Sequence, residues 1–367
     1  MKRIFLVLMA SVLFFTAFSS SAYCEENSIK TYNLTLADAI SMGISDNPKL
    51  ISLDIANKSH KINLEAAKIT KRQYKDIVVS ASAYDVMYVK KGYYVDTYEM
   101  LIRLNEREKI KAEETIKYNI TESYYNYKLS QELVYVTEQA YNLATQNLSS
   151  MEKRYELGMI AKIDYETALL STQSLKNTLD SYKRNSEIAK ENLKINLGIS
   201  EDCILNLTDG IECEEFSADI GEDLKNAENN RYDIMALKES YNLAGKYFDY
   251  TKALSPDSHN YQTAYSDFIT KEYDYNNNKK LILLSVKNSY NNVLNSKEAL
   301  ETSKKSRDIS EMKYNINKVK FESGMITNSE LTASLNEYLN ENISYENAKL
   351  KYKLAVEKYK KEILIGL

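Results

Sequence analysis

Tyr155-Glu156-Leu157-Gly158-Met159-Ile160 recurs in the chain as Phe321-Glu322-Ser323-Gly324-Met325-Ile326. The offset is 166 residues, and it also carries Ile120 to Val286, Ser123 to Ser289, Tyr124 to Tyr290 and Asp164 to Glu330. A constant offset over so much chain marks one unit built twice. Only nine glycines occur in 367 residues, so two in matched surroundings carry weight. A helix commonly ends on a residue at positive φ, which glycine adopts without steric cost. Each copy therefore reads as the tip of a tight helical hairpin, with the apolar pair after the glycine folded back on the last turn.

Outward from the tips the pattern stays helical. Before the first tip, Ile120, Tyr127, Val134, Tyr141, Leu148 and Tyr155 fall every seventh residue, and Leu129, Leu133, Val136, Ala140, Ala144 and Met151 form a second seam. Two seams place one helix between neighbours on both sides. The helix from about Thr97 to Glu156 would span roughly 90 Å at 1.5 Å per residue, so an elongated molecule is expected. The return helix runs from Asp164 to Leu197 and stops at Gly198. After the second tip, Leu331, Tyr338, Tyr345, Tyr352 and Tyr359 again step by seven. A tyrosine stripe at helical spacing reads first as a packing seam.

Short helices precede each hairpin. Thr35 and Asp38 fit a capping box, and Asn47-Pro48 fits a cap followed by proline at the first helical position. In the second repeat a short helix is expected from Gly221 to Asn229 and a longer one from Arg231. Residues 71–105 read as helix with a turn near Lys91-Gly92, the alternative being a hairpin about Gly92. Ser255 to Lys280 is polar and rich in tyrosine, and the long helix is expected to resume at Leu281. Cys203 to Ile211 reads as strand, with Asp209-Gly210 as a hairpin-turn signal. The fold class is therefore all-α: elongated antiparallel coiled-coil hairpins in two tandem repeats, with a minor strand in the linker.

The start of the chain reads as a secretory signal, residues 1–24: Lys2 and Arg3, an apolar run from Ile4 to Phe18, then Ser20-Ser21-Ala22. Lipidation of Cys24 is the alternative, although Tyr23 stands where that chemistry wants a small residue. The first repeat is taken as 25–200, the linker as 201–220 and the second repeat as 221–367. Removing Lys2 and Arg3 moves the formal charge from −4 to −6, which argues against a nucleic-acid partner. Two prolines leave little room for a strand-rich fold. Cys203 and Cys213 either pair across a local turn or remain two free thiols.

No catalytic constellation is legible. His60 and His259 are the only histidines, and neither stands in a metal spacing or beside a cysteine cluster. No glycine-rich phosphate loop follows a strand. Acids interleave with lysines at helical spacing, as on solvated faces. No enzyme activity, metal or cofactor is expected.

Taken together these residues resemble the TolC-type outer-membrane efflux proteins over nearly all of residues 25–367. The carriers are Leu34-Thr35-Leu36-Ala37-Asp38-Ala39-Ile40, Asn47-Pro48-Lys49-Leu50, the two tips, Asp164, Glu330 and Leu197-Gly198. Arg231-Tyr232-Asp233 is similar to the family's Arg-Pro-Asp with the proline replaced. The resemblance implies a homotrimer whose helices form a hollow tunnel, a periplasmic adaptor and an inner-membrane pump as partners, and export as the function. It implies adaptor docking at Leu157, Gly158, Met159, Ser323, Gly324, Met325 and Ile326, and gate acids at Asp164 and Glu330. Rings of carboxylates near an axis would favour cations. The alternative role for each acid is to pair with a helix N-terminus.

Some departures stand out. Ile326 and Phe321 occupy positions where some members use arginine and tyrosine to hold the tip shut, and Ala333 replaces a second gate acid. The family also carries two membrane strands in the middle of each repeat. Bilayer strands need about 9–11 alternating residues, which Ser255 to Lys280 lacks, while 71–105 offers one hairpin at best. The reading is thus an exported, TolC-like cell-envelope component not expected to span the membrane itself. The rival class is a structural or adhesive coiled-coil envelope protein without transport.

Overall fold

The computed structural model describes residues 30–76, 84–199, 202–252 and 256–366. The expected signal sequence and Cys24 lie outside these residues. The described residues divide into a small unit, 30–33 with 202–206, and a helical unit, from 34 to 199 with 207 to 366.

In the small unit the described residues pair β1 (Lys30–Leu34) with β2 (Cys203–Leu207) in a two-stranded parallel sheet. Along β2, Cys203, Leu205 and Leu207 are buried and Ile204 and Asn206 exposed, the two-residue period of a strand. Asn206 Nδ2 donates to Asn33 Oδ1 at 2.9 Å. The strand expected in the linker is present, but the hairpin expected at Asp209-Gly210 is not. The partner of β2 is β1, far back in sequence, and the Asp209 carboxylate instead accepts from the Leu36 N–H at 2.7 Å.

The helical unit opens with α1 (Leu36–Ile44) and α2 (Pro48–Gln73). Thr35 and Asp38 form the expected capping box, and the Asn47 side chain accepts from Lys49 N–H ahead of Pro48. Then come α3 (Tyr84–Lys91), α4 (Tyr93–Glu156) and α5 (Lys162–Leu197). Gly92, at φ +89°, makes the turn between α3 and α4, so residues 84–105 are helical, as expected; 77–83 lie outside the described residues. Gly198, at φ +72°, ends α5.

The second repeat follows the same order: α6 (Ile220–Asn230), α7 (Tyr232–Thr251), α8 (His259–Glu322) and α9 (Asn328–Leu364). α8 does not wait for Leu281; it starts at His259 under a Ser258 cap and runs unbroken for 64 residues, the length of α4. At 1.5 Å per residue each spans about 95 Å. From Pro48 to Tyr93 is 45 residues, whereas from Tyr232 to His259 is 27. The first repeat thus holds an 18-residue insertion, and α3 lies in that stretch.

The core sits where the short helices meet the long ones. Tyr124 is fully buried; its hydroxyl donates to the Leu34 carbonyl at 3.0 Å and accepts from Asp209 N–H at 3.1 Å. Ala227, Val286, Val293, Tyr352, Val356 and Tyr359 form the equivalent cluster of the second repeat. The two repeats reach the same fit with different residues. Gly43 of α1 lies so close to Ile120 of α4 that a Cβ would fall 2.4 Å from Cδ1. At the matching place Ala227 shares its cluster with the smaller Val286. The tyrosine stripe of α9 is a seam: Tyr352 and Tyr359 are buried, and Tyr338 stacks on Tyr314 at 6.1 Å.

Candidate functional site

Both tips are built by the same backbone device. At the first, Gly158 has φ +70°, Met159 N–H reaches the Arg154 carbonyl at 2.8 Å, and Gly158 N–H reaches Tyr155 at 2.9 Å. At the second, Gly324 has φ +71°, with Met325 N–H on Lys320 at 2.8 Å and Gly324 N–H on Phe321 at 2.9 Å. This pair of bonds is the Schellman closure, which satisfies carbonyls the helix leaves open. Nothing lies within 4 Å of where a Cβ would project from either glycine, so conformation and not space demands glycine there.

With the turn closed by backbone, the tip side chains are free to face outward. Leu157, Met159 and Met325 are 69–75% exposed. Ser323 is exposed, and Ile326 is half-buried. The two tips are held to each other near their bases. The Arg154 guanidinium lies over the Phe321 ring at 5.6 Å, and Asn147 of α4 donates to buried Asn328 of α9.

The two acids matched by the repeat do different things. Glu330 closes a capping box: its Oε2 accepts from Thr327 N–H at 2.8 Å and from Thr327 Oγ1 at 2.9 Å. These bonds, the backbone one first, hold its pKa below the usual glutamate value. Asp164 occupies the same position in α5, but Ala161 caps that helix and offers no side chain. Both acids are exposed. Cys203 and Cys213 are free thiols, the first buried and the second exposed; Cys213 Sγ lies 3.5 Å from the Lys349 carbonyl.

Sequence reasoning missed a buried ionic cluster at the other end of α9. Arg231, between α6 and α7, donates through Nε to Asp233 Oδ1 at 2.9 Å and through Nη1 to Glu362 Oε1 at 2.9 Å and to the Glu362 carbonyl at 3.0 Å. Ser285 Oγ adds a bond to Glu362 Oε1 at 2.6 Å. The Arg231 and Glu362 side chains are each 6% exposed. The signal in the sequence was Arg231-Tyr232-Asp233 alone; Glu362 looked like one acid among many.

Among the described residues no group of histidine, cysteine, aspartate and glutamate is arranged to hold a metal ion, and no helix is long and apolar enough to cross a membrane. No protein-family model and no curated protein matches the sequence. Solved structures do match its fold. The CmeC outer membrane channel of Campylobacter jejuni superposes with a TM-score of 0.70 at 12% identity, over 89% of this chain and 85% of that one. The open state of the MtrE outer membrane channel of Neisseria gonorrhoeae gives 0.71 at 11%, over 90% and 89%. The outer membrane protein VceC of Vibrio cholerae gives 0.67 at 13%, over 90% and 97%. The resemblance carried by the tips and caps therefore holds at the level of architecture: this chain has the helical fold of outer-membrane channels.

Proposed function

We propose that the chain is a TolC-like export component of the cell envelope, carrying a Sec signal over residues 1–24, with repeats at 25–200 and 221–367 joined by the 201–220 linker. Three copies close a helical tunnel. The observation that carries this reading is an unmatched seam. Within one chain, α9 of the second repeat packs against α4 and α5 of the first. Repeat symmetry asks for the reciprocal contact, α5 against α8, and no comparable packing joins those helices. Its apolar residues are left in solvent. Leu335 of α9 is buried, but its counterpart on α5, Leu169, is 46% exposed. Ile309, Met312, Ile316 and Val319 make an exposed stripe on α8. A head-to-tail contact between unlike faces closes into a ring when the rotation allows.

The tips then lie together at one end of the ring, where Leu157, Met159, Ser323, Met325 and Ile326 dock a periplasmic adaptor that couples the tunnel to an inner-membrane pump. Exposed apolar groups on a rigid turn suit such a partner. Asp164 and Glu330 are the gate candidates, and Asp164, with no cap to serve, is the freer of the two. The middles of the repeats support a tunnel that does not itself cross the bilayer, because described residues 84–105 and 256–280 are helical apart from the turn at Gly92 and the segment ahead of α8.

The test is a Leu157→Asp, Met325→Asp double variant, followed for export, adaptor capture and helicity. The proposal expects capture and export to fall together while circular dichroism is unchanged. Full capture and export by the variant would rule out the tips as the docking surface, and a wild-type chain that neither captures an adaptor nor exports would leave a structural coiled-coil role.

A further inference from the structure

Between the two hairpins, reaching inward from the base of the second tip, all four long helices surround a cavity of about 290 Å³. Its walls are Leu143 of α4, Ala168 and Leu175 of α5, Tyr314 and Phe321 of α8, and Leu331 of α9. Ala168, Leu175 and Leu331 are buried. The rim is polar and carries both charges: Gln146, Ser171, Lys318 and Glu322. Repeat comparison shows why the space exists. In the first hairpin the base of the tip is filled by Tyr155 of α4 stacked on Tyr165 of α5, at 5.4 Å and 4°. The matching pair in the second hairpin is Phe321 and Leu331. One ring is gone, and both residues line the cavity.

We propose that this cavity is a binding site for a small uncharged amphiphile: an aromatic body against Phe321 and Tyr314, with a hydrogen-bonding group at the rim. Apolar walls with a few polar groups at the mouth are the usual make-up of a small-molecule site, and the opposed charges of Lys318 and Glu322 give no reason for a charged ligand. The occupant touches both hairpins. It therefore binds their packed arrangement and stabilises it by mass action. The site does not depend on the export reading.

The first repeat supplies its own blocking variant, Leu331→Tyr, which restores the stacked pair and fills the space. The probe is 1-N-phenylnaphthylamine, whose fluorescence rises in apolar surroundings, titrated into the full exported chain. Saturable binding is expected in the wild type, at least tenfold weaker in Leu331→Tyr and in Ala168→Phe, and unchanged in Leu170→Ser on the exposed face of α5. Saturating probe should also raise the melting temperature of the wild type and not of Leu331→Tyr. Non-saturable uptake, or equal affinity in the wild type and both filling variants, would overturn the proposal, as would loss of binding in Leu170→Ser, which would move the probe to the exposed face of α5.

Discussion

At the first tip α5 starts on Ala161, whose side chain caps nothing; at the second, α9 starts on Thr327, which shares a capping box with Glu330. Tyr155 is met by Tyr165 inside its own hairpin, while its counterpart Phe321 is met by Arg154 of the other. Farther back, α4 is enclosed by α1, α2, α5, α7 and α9, and α8 keeps an exposed apolar stripe. The same unit, built twice, is thus finished in two ways. The outgoing helix of one copy is covered by the chain itself, and that of the other keeps apolar side chains in solvent. On the proposed reading a second copy covers them, and the places where the repeats disagree carry the assembly instructions.

The largest expected effect lies where the short helices begin. Asn47 caps α2 through its own side chain, whereas Arg231 starts α7 by neutralising buried Glu362. Arg231→Met should cost about 3–5 kcal/mol, because it strands a buried charge. Asn47→Ala should cost about 1 kcal/mol, the usual value of a cap. Denaturant unfolding of the two variants measures the gap, and equal losses would break the comparison.

Next is the exchange of volume between repeats. Gly43→Ala should cost about 1–3 kcal/mol by overpacking against Ile120. Adding Ile120→Val, which copies the Ala227–Val286 arrangement, should recover part of the loss. The Asn196 carbonyl, 2.9 Å from the new Cβ, keeps the recovery incomplete. No recovery would mean that the two sites are not equivalent.

Smaller still is the cap. Thr327→Ala should lose about 1 kcal/mol, and Ala161→Thr should gain a similar amount by building at Asp164 the box that Glu330 already has. The smallest effect is the pH dependence of that box. The folded pKa of Glu330 is lowered. Its contribution is therefore present above the unfolded value and is lost as pH falls through the folded one. The difference in melting temperature between wild type and Glu330→Gln should shrink on acidification from neutral pH, and a difference that grows would contradict the assignment.

Much of this was legible in the sequence, for a physical reason. Gly158, Gly324, Thr35, Asn47 and Pro48 act through bonds within a turn of themselves, so spacing alone reveals them. What escaped reading acts over long separations. β2 pairs with β1 rather than across Asp209-Gly210, and Glu362 meets Arg231 from 131 residues away. Residues 259–280 hid their helix because the aromatic contacts that support it are not local: Tyr241 and Phe248 of α7 stack on Phe268 of α8. The cavity was invisible for the same reason, since four helices contribute to it.

The central claim is that the exposed faces of α5 and α8 are two halves of one seam, closed only between copies. Its most direct test is the mass of the chain from residue 25 onward in solution, by light scattering or native mass spectrometry, beside a variant carrying Ile309→Asp and Ile316→Asp. The account expects a closed trimer for the wild type and a helical monomer for the variant. A wild-type chain that stays monomeric across the concentration range, with these faces in solvent, would contradict it.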